Sequence, residues 1–173
     1  MIGPAVGEGY ELALVSRAAE GDRKAFGQLF DQYVSKVFRH ISRLVDHPRV
    51  AEELTAQTFS VASRSLRSYE KGGASFFVWL LRITYRLTEA STSSLQHDRP
   101  RQSNEETSEE GKADVSLLEA VSRLQGDQRH VMVMRFTDGL SETEMAEVIA
   151  KSVTDVREIQ YRALLTLRGV TEG

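Results

Sequence analysis

The chain has 173 residues, enough for one ordinary domain or two small ones. It is 40% hydrophobic and 27% charged, the balance of a globular protein, and its net charge of -3 argues against coating nucleic acid by bulk charge. It has no cysteine, which excludes disulfides, thiolate nucleophiles and cysteine-ligated zinc.

The N-terminal stretch "MIGPAVGEGYELALVSRAAEGD" has no basic segment leading into an apolar one, so it does not read as a signal peptide. No apolar run approaches the roughly 20 residues that cross a bilayer. The expectation is a cytoplasmic protein without membrane insertion.

In residues 1–90 apolar side chains recur at spacings of three and four. Leu12, Val15, Ala18 and Ala19 form a short face. Phe26, Leu29, Phe30, Tyr33, Val37, Ile41 and Leu44 form a longer one, with Asp22 placed to cap its helix. His47-Pro48 marks a break, because proline restricts the residue before it. A third helix is expected over Val50 to Arg67, burying Leu54, Thr58, Val61, Ala62 and Leu66. After the glycine-containing loop "SYEKGGAS", a fourth begins near Ser75 and buries Phe76, Leu80, Ile83 and Leu87.

Residues 91–114, "STSSLQHDRPRQSNEETSEEGKAD", carry 6 acids against 3 bases and hardly any large apolar side chain. Such a stretch cannot bury enough surface to offset its ordering entropy, so it reads as a flexible acidic linker.

Residues 115–173 are again helical in pattern. Leu117, Leu118, Val121 and Leu124 form one face, and "GDQRHVMVMRF" starts at Asp127 as a plausible cap. Asp138-Gly139 is a turn signal. Ser141 and Glu144 have capping-box spacing ahead of Met145, Val148 and Ile149, and Ser152 and Asp155 repeat it ahead of a last helix. No alternating run of strand length occurs. The expected fold is all-α: two small helical domains joined by the linker, the second ending in a helix-turn-helix.

Enzyme chemistry finds no support in the motifs. His40, His47, His97 and His130 are scattered without metal-ligand spacing, and the glycines form no phosphate-binding loop. No cofactor is implied.

Three stretches of the front half, "GDRKAFGQLFDQYVSKVFRHISRLV", "AEELTAQTF" and "SFFVWLLRITYRL", and two of the back half, "RHVMVMRFTDGLSETEMAEVIAKS" and "YRALLTLR", occur in one order over most of the chain. In that order they resemble regions 2 and 4 of bacterial RNA polymerase sigma factors of the extracytoplasmic-function (ECF) group. The resemblance implies a dissociable polymerase subunit whose partners are core RNA polymerase, promoter DNA and an anti-sigma factor. By it, Glu52, Glu53 and Gln57 would form the core polymerase-binding surface; physically they are a polar rim beside Leu54.

Promoter opening requires bases to be pulled from the stack and held by aromatic faces and cations. "RSLRSYEKGGASFFVW" offers the cations Arg64, Arg67 and Lys71, the aromatics Tyr69, Phe76, Phe77 and Trp79, and the permissive Gly72-Gly73. Core packing accounts equally for Trp79 and better for Phe76. Arg82 and Arg86, four apart on the fourth helix, can present a stripe to phosphates or simply to solvent. These residues, Arg64, Arg67, Tyr69, Lys71, Trp79, Arg82 and Arg86, are the -10 candidates.

On the last helix Arg157, Tyr161 and Arg162 are the -35 candidates. Asp155 and Glu158 would repel phosphate there. The family turn is usually Gly-Ile-Ser or similar; here it is Ala150-Lys151-Ser152, so a lysine stands at a usually apolar site. Either Val153 fills the space the turn residue leaves, or Ile159 is exposed and meets a protein partner. The second outcome would suit a divergent regulator that works mainly through protein contacts.

Overall fold

The computed structural model describes residues 6–69, 73–95 and 119–171, and every regular element among them is helical. Helix α1 spans Val6–Ala19 and α2 spans Arg23–Ser42. Asp22 joins them as the sequence anticipates. One carboxylate oxygen accepts from the backbone N–H groups of Lys24 and Ala25 at 2.9 and 3.1 Å, and the other from Arg17 at 2.5 Å. These bonds hold the Asp22 carboxyl below its ordinary value, the Ala25 amide contributing most.

Helix α3 spans Pro48–Ser65, with Pro48 in the first turn where its missing N–H costs nothing, and runs into a 3-10 turn at Leu66–Ser68. Helix α4 spans Phe76–Leu95. It therefore continues through residues 91–95, which the sequence reading assigned to the linker. The remainder of the expected linker, with Leu117 and Leu118, lies outside the described residues.

A helical turn over residues 119–122 precedes α5, Gly126–Val133, which continues as a π-helical turn, Met134–Asp138. Gly139, at φ 69°, ends it in the left-handed region that glycine tolerates. Helix α6 spans Glu142–Ile149 and α7 spans Val153–Thr171. Asp127 does not cap α5 as expected. The helix starts at Gly126 with Gln125 at its N-cap, two residues before the expected cap, and the Asp127 carboxylate serves the seam described below.

One core lies among α1–α4 and buries Leu14, Leu29, Tyr33, Ile41, Leu54, Phe59, Phe76 and Leu80. Phe30, expected on the inner face of α2, is 37% exposed and rests edge-on against Phe59 with ring centroids 4.8 Å apart. Leu12 is likewise exposed at 39%, Leu14 and Val15 being the residues α1 buries.

The second core is shared. Val78 and Leu81 of α4 bury against Val131, Met134, Leu140, Met145, Val148, Ile149 and Val156 of the back half. Leu44 likewise packs with Ala120, Val121, Leu124, Met132, Ala163 and Leu167. Helix α4 thus buries two faces, Phe76, Trp79, Leu80 and Ile83 toward its own module and Val78 and Leu81 toward the other. Burial on two sides is what an apolar run such as "FFVWLL" demands.

Candidate nucleic-acid and polymerase interface

Glu52, Glu53 and Gln57 are exposed on α3 above the buried Leu54, and Gln57 donates to Glu53 at 3.0 Å. The rim expected from the sequence is therefore a continuous polar strip on one helix. It offers acceptors to a cationic partner surface.

The -10 candidates separate by environment. Arg64 and Arg67 are exposed; Arg64 donates to the Ser60 carbonyl at 3.2 Å and Arg67 to the Ala19 carbonyl at 3.3 Å. Tyr69 is half-buried, its hydroxyl donating to the Ala74 carbonyl at 3.0 Å and its ring edge-on to Phe76 and Trp79 at 5.7 and 5.6 Å. Burial raises the Tyr69 phenol above its ordinary value.

Trp79 is corrected as a direct contact: only 8% exposed and packed against Phe76 at 5.5 Å, it has no free face for a base. It is the wall on which Tyr69 rests. Lys71 lies outside the described residues. Arg82 and Arg86 are exposed between the two buried faces of α4, so both point to solvent.

The back half forms a helix-turn-helix from α6 and α7, and both capping expectations hold. Ser141 Oγ accepts from the Glu144 N–H at 3.2 Å, and the Ser141 N–H donates to the Glu144 carboxylate at 2.8 Å. At α7, Ser152 Oγ accepts from the Asp155 N–H at 3.1 Å, while the Ser152 N–H and hydroxyl donate to the Asp155 carboxylate at 3.0 and 2.6 Å. The Ser152 hydroxyl and N–H hold the Asp155 carboxyl below its ordinary value. Asp155 is therefore a capping group rather than a stray charge on a reading surface.

Between the helices Ala150 adopts φ 54°, the left-handed cap that glycine usually supplies. Lys151 is not buried: it is exposed and pairs with Asp127 at 3.4 Å. Val153 and Ile159 both pack against the shared core, so Val153 occupies the space in question and the exposed-Ile159 alternative is corrected.

Arg157, Tyr161 and Arg162 all face solvent. The Arg157 Nε–H donates to the Glu142 carboxylate at 2.7 Å, across the two helices. Arg162 pairs with Glu158 one turn away on the same helix.

Between the modules runs a polar seam that the sequence reading did not anticipate. His40 Nδ1 meets Asp138 Oδ2 at 2.6 Å, with both side chains almost fully buried. The Tyr85 hydroxyl donates to Asp127 at 2.7 Å, and its ring stands edge-on to His130 at 4.8 Å. Burial first, and the Asp127 carboxylate second, hold the Tyr85 phenol above its ordinary value, which keeps it a neutral donor. Arg129 donates to the Arg43 carbonyl at 3.2 Å and pairs with Asp46 at 3.3 Å. Tyr85, beside Arg86 on α4, finds its partner 42 residues further along the chain.

The stretch 114–168 matches the family described as Sigma-70, region 4. The chain is 32% identical over 174 residues to the ECF RNA polymerase sigma-E factor of Salmonella typhimurium, covering 87% of this chain and 88% of that protein. It is 34% identical over 168 residues to the ECF RNA polymerase sigma factor BldN of Streptomyces coelicolor, covering 90% of this chain but only 64% of that longer relative. In fold it is similar to CnrH in its complex with the cytosolic domain of CnrY, with a TM-score of 0.73 over 94% of this chain and 97% of that one at 21% identity. The sigma factor RpoE of Bartonella quintana, solved with the anti-sigma factor NepR, gives 0.70 over 86% and 98% at 19% identity. The chain belongs to the ECF sigma factors of the sigma-70 family.

Proposed function

We propose that this chain is a dissociable sigma subunit that directs core RNA polymerase to promoters and assists their opening. The observation that carries this reading is the helix-turn-helix, doubly capped and presenting Arg157, Tyr161 and Arg162 to solvent, in a chain of ECF family membership. A helix of this kind places its N-terminal half in the major groove, where arginine reads guanine. It is the -35 reader.

The front module supplies the other contacts. Glu52, Glu53 and Gln57 dock on core polymerase. Arg64, Arg67, Arg82 and Arg86 track phosphates, with Lys71 added from the loop. Tyr69 guards the pocket wall formed by Trp79 and is the aromatic that a flipped base would meet. The role is one of binding, and the chemistry belongs to polymerase. An anti-sigma factor is the remaining partner, as NepR is for the Bartonella quintana protein. The divergent-regulator alternative is not favoured, because the unusual turn folds with its caps satisfied.

The test is transcription in vitro with the purified chain, bacterial core polymerase and a library of promoter fragments. Defined start sites sharing -10 and -35 elements are expected. Core binding without any defined start would overturn the promoter-reading role.

A further inference from the structure

The two exposed arginines of α7 are held in different ways. Arg162 pairs with Glu158 on its own helix, a local pair that leaves the side chain free to travel with α7. Arg157 is held from another element: its Nε–H donates at 2.7 Å to Glu142, the first residue of α6. The Arg157 side chain is 67% exposed and that of Glu142 33%, so the carboxylate sits at the base of the guanidinium and the tip stands in solvent.

We propose that Glu142 is a positioning residue for promoter reading: it fixes Arg157 so that its two terminal amino groups address one guanine of the -35 element. This rests on the sigma-subunit reading above. The reason lies in guanidinium geometry. The group carries five N–H donors in a planar fork. A carboxylate bonded at Nε uses the side edge, and the end edge, with one N–H from each terminal nitrogen, remains. That edge matches guanine O6 and N7, the commonest specific arginine contact in the major groove.

The carboxylate also acts by exclusion. An arginine free to swing reaches phosphate as readily as a base, and phosphate contacts carry no sequence information. Glu142 repels phosphate and restricts the rotamers of Arg157, so it trades non-specific attraction for base discrimination. Its location suits the task. The first turn of α6 is fixed by the adjacent Ser141–Glu144 capping box, which does not involve the Glu142 side chain. Glu142 can therefore change without removing that cap.

The test uses the full chain with core polymerase on promoters randomised across the -35 element, with transcripts sequenced. The wild type is expected to prefer G·C at one position. Glu142→Ala should weaken that preference roughly tenfold, the scale of one bidentate arginine–guanine contact, and leave preferences elsewhere intact. Binding to unrelated duplex should be no weaker than wild type. Glu142→Gln, which keeps an acceptor without the charge, should fall between. Arg157→Lys, which leaves α6 untouched and keeps the charge but not the fork, should lose the same preference. In an Arg157→Lys background, Glu142→Ala should add nothing further.

A uniform fall across all sequences, or an unchanged profile, would overturn the proposal while leaving the sigma reading in place. A wild type that shows defined starts without any -35 preference would overturn it as well. Absence of defined starts from the wild type would overturn the sigma reading itself.

Discussion

Nδ1 of His40 lies 2.6 Å from Oδ2 of Asp138, 98 residues further along the chain, with the two side chains 1% and 5% exposed. The bond ties the last turns of α2 to the π-helical turn of the back half, so a contact between distant residues closes the seam. His40→Ala leaves a carboxylate buried without its partner. Such losses cost about 3–5 kcal/mol. The expected result is a lowered urea midpoint by circular dichroism. Asp138→Asn should cost less, because a neutral amide retains an acceptor for the imidazole.

The second seam histidine sets a pH dependence. Burial, the largest influence, holds the His130 imidazole below its ordinary value of 6.5. His40 pushes in the same direction, while Glu89, 3.3 Å away, and Asp127 oppose it. The Thr88 hydroxyl and the Tyr85 ring complete its surroundings. Below 6.5 the unfolded chain takes up a proton there that the folded chain resists. Stability is therefore full above that value and declines as pH falls toward the depressed folded value. Urea midpoints measured from about pH 7.5 down to about 5.5 should fall, and His130→Gln should flatten the part of the slope that this group contributes.

The helices were legible because their causes are local. Asp22, Ser141 and Ser152 each announce a helix start through side-chain geometry that operates within three residues. The seam was not legible. His40 and Asp138 carry no local sign of each other, and a single inward face through Phe76 and Leu80 gives no sign of the second buried face of α4, Val78 and Leu81. Trp79 marks the same limit at the site: an aromatic beside cations fits both a stacking platform and a core wall, and only its 8% exposure decides for the wall. Asp155 and Lys151 looked hostile to a recognition helix as charges in a string, yet one is a cap and the other pairs with Asp127 on the surface.

Ala150 offers a stabilising substitution. It holds φ 54° and ψ 45° at the end of α6, and a left-handed conformation costs an L-residue about 1–2 kcal/mol relative to glycine. Glycine loses more chain entropy on folding, which offsets part of the gain. Ala150→Gly should raise stability by up to about 1 kcal/mol, read as an increase in Tm. Ala150→Val should lower it, because a β-branched side chain fits this region poorly. The glycine variant should retain -35 selectivity, since the turn keeps its conformation.

Arg82 and Arg86 test whether the solvent-facing stripe of α4 touches the DNA backbone. They are exposed between two buried faces, so alanine at either position removes a charge without opening a cavity. A phosphate contact releases a counterion, and each one lost reduces the magnitude of the slope of log affinity against log salt by about 1. Arg82→Ala and Arg86→Ala should each lower that slope for the holoenzyme on promoter DNA and weaken binding evenly across promoter sequences. An unchanged slope would assign the stripe to solvent. A loss confined to particular -10 bases would instead place an arginine at a base edge, because phosphates carry no sequence and cannot produce a base-selective loss.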